Sequence, residues 1–153
     1  VIDQHAEEAA FLWLIRDGAV RAPHYRLWEL AKLDNRVEAH LDGLRIAGNP
    51  GWDIVKAQLE AGEGGETFVA AVLSAESGDE ERIRAVLELG IASEDRVRGL
   101  ISGLGWVGSE GALRVARTAM KKKDPVFRRI AVAVAAIHRV NPGDRIVVVN
   151  RLQ

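Results

Sequence analysis

Four histidines and a few carboxylate pairs are the residues of this chain with the types to do acid–base or metal chemistry. His5 and Glu8 stand three apart, a spacing that puts two side chains on one face of a helix, as a metal pair requires. His40 and Asp42 stand two apart and diverge by about 200° around a helix, so they do not share a face. A cross-helix set of His5, Glu8 and His40 is the one metal combination the spacing leaves open. Histidines hydrogen-bonded to a neighbouring helix or loop are the simpler reading, and no metal site is assigned. Glu7 with Glu8, and Glu80 with Glu81, are adjacent carboxylates near helix starts, where they offset the dipole. An acid–base pair must instead converge across a cleft, which adjacency in one helix does not supply. No serine stands in a nucleophile-elbow pattern, and the glycines at 62, 64 and 65 lack the lysine and preceding strand of a phosphate loop. The chain therefore reads as no enzyme, with no catalytic residue and no cofactor.

Binding is the chemistry that remains, and charge and aromatics carry it. Residues 1–77 hold 13 acidic and 7 basic side chains, a net of −6, and residues 78–153 hold 9 acidic and 14 basic, a net of +5. Between Arg96 and Arg139 the count is 2 acidic against 10 basic. Such a split suits an acid-seeking surface or head-to-tail self-association, although exposed helix faces carry charge in any case. Lys121, Lys122 and Lys123 end a helix, where cations offset the dipole or meet an anion. Trp13, Trp28, Trp52 and Trp106 chiefly fill gaps between helices. Trp106, between Gly105 and Gly108 near a turn, is the one expected at the surface, where it would stack on a peptide or a base.

Composition bounds the elements that must hold these groups. A 153-residue chain that is 48% hydrophobic can bury one core or build one short solenoid. Without cysteine there is no disulfide, thiolate cluster or cysteine nucleophile. That absence, with no signal-peptide pattern, gives a cytoplasmic expectation. The longest apolar run, 130–137, falls far short of the ~20 residues of a membrane span, so no membrane partner is expected.

In chain order, residues 1–20 form a helix with Asp3 as its N-cap, Ala10, Phe11, Leu14 and Ile15 on one face, and Gly18 as its stop. Residues 21–25, with Pro23, read as a loop, and 26–32 as one or two helical turns around Leu27, Trp28 and Leu30. From residue 33 a repeat takes hold. Val37, Phe68, Val97 and Phe127 recur at spacings of 31, 29 and 30. Three, four and seven residues beyond each come His40, Ala71, Leu100, Ile130; Leu41, Val72, Ile101, Ala131; and Leu44, Ala75, Leu104, Val134. Only His40 breaks the apolar pattern, as repeats of two helices would require. Second helices are placed at 52–61, 80–89 and 110–122. Turns fall at 48–51, 62–65, 77–78, 108–109 and 141–143, and Pro125 suits a helix's first turn. The tail 144–153 contains a β-branched run at 146–149, and is expected to pack as an irregular cap or to open a further element.

The segment EDRVRGLISGLGWVGSEGALRVARTAMKKKDPVFRR, with its recurring D-x-x-V-R-like helix start, resembles HEAT-like repeats of the bilin-lyase type. HAEEAAFLW at 5–13, RAPHY at 21–25 and RVEAHLDGLRIAG at 36–48 are similar to the opening of a bacterial HEAT-like-repeat family of unassigned activity. The resemblance implies a fold: all-α, an α-solenoid of about four helical-hairpin repeats preceded by an N-terminal helix. It divides the chain into a helical cap at 1–32, repeats at 33–62, 63–92, 93–123 and 124–143 (the last partial), and the tail. Arg98 and Arg128 take the repeat's arginine position, which implies pairing with an aspartate of a neighbouring repeat, Asp95 or Asp124. The family's neighbourhood implies an adaptor or chaperone role near secretion components.

Second helices of a solenoid line its concave face. Here they carry Trp52, Lys56, Arg82, Arg84, Arg114, Arg117 and Lys121, a basic and partly aromatic set that suits an acidic protein segment. The expected function is a non-catalytic interaction scaffold or adaptor. The alternative is nucleic-acid binding through 96–139, for which clustered cations speak and the net charge of −1 does not. A DNA-glycosylase-like or lyase-like activity is the enzymatic extreme of that resemblance.

Overall fold

From Thr67 to Ala75 the chain runs nine residues without a charge. A helix that is apolar all round has to be covered all round, and this one organises the molecule. A computed structural model of the chain describes residues 1–22 and 26–139. Among them are eight helices: α1 (Ile2–Val20), α2 (Leu27–Ala47), α3 (Asn49–Ala61), α4 (Gly64–Ser77), α5 (Glu80–Leu89), α6 (Glu94–Trp106), α7 (Ser109–Met120) and α8 (Pro125–His138). The protein is all-α, with no strand among the described residues.

Helix α4 is buried along almost its whole length, Glu66 alone being half-exposed before Glu76. Its two interior hydroxyls are satisfied locally, as buried polar groups must be: Thr67 donates to the Glu63 carbonyl at 2.8 Å and Ser74 to that of Ala71 at 3.2 Å. At its N-terminus the Gly64 N–H donates to Asp95 at 2.9 Å, and the Glu63 N–H to the Glu66 carboxylate at 2.7 Å. Gly78, at φ 69°, ends it in the left-handed conformation that glycine adopts without strain.

Small residues let the neighbours close on α4. Helix α6 approaches through Gly99 and Gly103, one turn apart, whose missing side chains admit the backbones of Gly64 and Phe68. Helix α1 approaches from another side, with the Ala10 carbonyl against Gly65. It packs on α2 as well as α4 and touches α3. Trp13 stacks on Phe68 with centroids 5.9 Å apart and donates its indole N–H to Ser102 at 2.8 Å, so α1 also reaches α6. Helices α3 and α5 lie against α4, α5 touches α7, and α8 packs on α7 and α6.

Contacts between the hairpins α2–α3, α4–α5 and α6–α7 recur at a regular separation. Gly64 with Asp95 and Arg45 with Glu76 are 31 residues apart, Asn49 with Arg82 33, and Gly62 with Arg96 34. Leu104 with His138 are 34 apart and Glu94 with Arg129 35. This is the separation expected where each helical hairpin stacks on the one before it, and it fits a helical-repeat fold in general. Of the sixteen repeat-phase positions, all are buried except His40 and Ile101, which are half-buried.

Several local features differ from the sequence reading. Residues 26–32 are not a separate short element. No glycine or proline interrupts 27–42, and α2 runs unbroken from Leu27. Helix α1 begins at Ile2, so Asp3 sits in its first turn and does not cap it. Its buried face is Ala6, Ala9, Ala10, Leu12 and Trp13, while Phe11 and Leu14 are 57% and 55% exposed. The alanines let α1 come close to its neighbours, and Trp13 fills the space against Phe68. Capping works as the chemistry suggests elsewhere: Asp79, Ser93 and Asp124 accept from the N–H groups of Arg82, Arg96 and Val126, each worth about 1 kcal/mol. Pro23 and its loop, the turn at 141–143 and the tail 144–153 lie outside the described residues.

Candidate binding surface

Trp52 enters through the turn that starts α3. Gly48 adopts φ 64°, Pro50 follows in the first helical turn, and Trp52 comes next but one. Its ring is largely buried against the core, yet its edge lines two adjoining cavities, of about 220 and about 300 Å³. Arg82 lines both as well. It comes from the first turn of α5, held there by Asp79, and its guanidinium lies 5.2 Å from the Trp52 ring centre while donating to the Asn49 side chain at 2.7 Å. A guanidinium over an indole face is attracted by the ring quadrupole. Lys56, one turn after Trp52, is exposed beside the larger cavity, where Asp79 and Glu81 also face.

Arg45 forms the far wall of the smaller cavity. It meets Glu76 in a two-point pair at 2.8 and 2.9 Å, and reaches Glu38 at 2.5 Å and Asp42 at 2.7 Å. Partial burial opposes its charge, but the three carboxylates outweigh this and hold its pKa above the usual arginine range. Three carboxylates surround the one cation.

The structure therefore gathers Trp52, Lys56 and Arg82, and disperses the other candidates. Arg84 is exposed on another side of α5, paired with Glu80 at 3.2 Å. Arg114 spends its guanidinium on the Ala75 carbonyl and Glu110, at 3.4 and 3.7 Å. Arg117 on α7 and Lys121 just after it are exposed and make no ion pair among the described residues. Trp106 is not displayed at a turn. It is half-buried, edge-on to Phe68 with Arg16 over its ring, and donates to Glu38 at 2.7 Å.

Neither repeat arginine meets the aspartate that the resemblance implied. Arg98 pairs with Asp17 of α1 at 2.7 Å, because Asp95 is turned to the α4 N-terminus. Arg128 is exposed, and Asp124 caps α8. His5 and His40 do meet, across α1 and α2. Sequence reasoning missed Asn49, Arg45 and Glu76. The signal for the Arg45 cluster was present: Glu38, Asp42 and Arg45 recur at helical spacing on one face of α2.

Comparison with protein-family profiles, with curated proteins and with solved structures returned no match. Fold and surface define a class: an all-α protein of stacked helices. None of its described helices is long and apolar enough to cross a membrane.

Proposed function

We propose that the chain is a non-catalytic binding module built of about four HEAT-like repeats, an adaptor that holds an acidic segment of another protein against its second helices. Trp52 and Arg82 are the centre of the site, Lys56 supplies further positive charge, and Arg117 and Lys121 extend it along α7. The observation that carries the reading is the Trp52–Arg82 pair with a cavity on either side. A flat aromatic face with a cation over it suits an acidic side chain flanked by an apolar one. Nucleic-acid binding through 96–139 has less to support it. Arg96, Arg98, Arg114, Lys122 and Arg129 are already engaged with carbonyls or carboxylates of the chain.

The test compares a fluorescent Glu/Asp-rich peptide with a single-stranded oligonucleotide, each titrated at low and at high salt. The expected result is saturable peptide binding, weakened at least about tenfold when Lys56 and Arg82 are both replaced by glutamate, since each reversal removes and then inverts an exposed interaction of up to about 1 kcal/mol. Helicity by circular dichroism should be unchanged. Oligonucleotide binding with a steep salt dependence, and none of the peptide, would move the reading to nucleic acid.

A further inference from the structure

We propose that His5 and His40 form a site for a divalent transition-metal ion that clips α1 to α2. Their Nδ1 atoms face one another at 3.1 Å, with ring centres 5.3 Å apart and planes tilted by 52°. At a metal–nitrogen distance of about 2.05 Å, two nitrogens 3.1 Å apart subtend about 100° at the ion, between the octahedral and tetrahedral angles. The two rings are set for one shared ion.

The same separation accepts a single N–H···N hydrogen bond, but at a cost in tautomers. That bond needs the rings in opposite forms, one of them carrying its proton on Nδ1. An ion takes both rings in the form protonated at Nε2, the one that histidine favours in water. Position and access agree. Gly43, one turn after His40, leaves the place that the His5 ring fills; a Cβ there would stand 2.6 Å from Cδ2 of that ring. Both histidines are half-exposed, so water reaches the open coordination positions.

The ligand count sets the character of the site. Among the described residues no three or more histidine, aspartate or glutamate side chains gather at one point. Water therefore completes the shell, and the ion is held loosely and exchanges. Glu8, exposed one turn after His5, is the nearest carboxylate in sequence on that face. Imidazole selects Zn²⁺, Ni²⁺ or Cu²⁺ and passes over Mg²⁺ and Ca²⁺. An ion bound only when α1 is docked on α2 raises the stability of that docking by mass action. This inference is independent of the Trp52–Arg82 site, with which it shares no residue.

The experiment titrates Zn²⁺ and Ni²⁺ into chelator-treated protein by calorimetry, with thermal melts alongside, for the wild type, His5→Gln and His40→Gln. Expected are one ion per chain, a melting temperature that rises with metal and falls back with EDTA, and affinity lower by at least about tenfold in each variant, the loss that even a supporting partner of a ligand brings. The wild type is also followed through the ring resonances of its histidines by NMR, which needs no variant to fold. His5 and His40 should shift together. No saturable binding, equal affinity in all three proteins, or shifts confined to His24 or His138 would each overturn the proposal and leave a hydrogen-bonded pair.

Discussion

Gly103→Ala tests the closeness of the α4–α6 crossing, on which the stack depends. A Cβ at Gly103 would stand 2.7 Å from the Phe68 carbonyl oxygen and 2.7 Å from the Ala71 Cβ, about 0.7 Å inside ordinary contact. Neither atom belongs to a flexible side chain, so the two helices must move apart. Overpacking of this kind costs about 1–3 kcal/mol. Replacing glycine by alanine inside a helix returns up to about 1 kcal/mol of propensity. With the full return the net destabilisation is up to about 2 kcal/mol, or a fall in melting temperature of up to about 8 °C for a domain of this length. Gly18→Ala is the control. It lies in α1 with nothing within 4 Å of the added atom, and should raise stability by about 0.5–1 kcal/mol. Urea unfolding followed by circular dichroism measures both. If Gly103→Ala were as stable as Gly18→Ala, the helices could not be packed backbone to backbone, and the placement of α4 at the centre would fail.

Trp13→Phe removes the N–H that Ser102 accepts and part of the Phe68 stack; urea unfolding should show a loss of about 1–2 kcal/mol. Arg45→Ala leaves Glu38, Asp42 and Glu76 facing one another without their cation, and a loss of about 1 kcal/mol is expected by the same assay, modest because the group is partly solvated. Asn49→Asp gives Arg82 a carboxylate of its own in place of the amide it now meets. Binding of the acidic peptide should weaken several-fold while the melting temperature stays within a few degrees, and Asn49→Ala should bind at least as well as the wild type.

Repeat phase was legible because it is written in residue type. Val37, Phe68, Val97 and Phe127 are apolar wherever a first helix meets the core, and each is buried. The second helices followed from the glycines and prolines between them. What residue type does not encode is which helix lies next to which. Glu94, Asp95, Arg96 and Arg98 all open α6, yet they reach to α8, to α4, to the turn before α4 and to α1 respectively. A pairing rule between adjacent repeats finds only part of that pattern. Helix α1 misled for a related reason. Phe11 and Leu14 mark one face, but the face turned inward carries alanines that let the neighbouring helices close in, with Leu12 and Trp13 filling the space beside them. The candidate surface was half legible. Trp52, Lys56 and Arg82 stand out as basic and aromatic residues on second helices, whereas their convergence depends on α3 and α5 packing side by side.

That convergence also decides which cation can serve a partner. Arg45 and Arg82 line the same cavity, and by residue type alone they are equivalent anchors. Arg45 already meets three carboxylates, one of which links α2 to α4, so a fourth acidic group would be repelled by more negative charge than the guanidinium carries. Arg82 meets a neutral amide, and an arriving carboxylate would exchange an ion–dipole hydrogen bond for one between opposite charges. The exchange leaves the stack intact, because Asp79 still caps α5 and Trp52 remains seated in the core. On the proposed reading the two arginines divide the work by their partners: Arg45 fixes the wall of the cavity, and Arg82 would meet an acidic group that enters it.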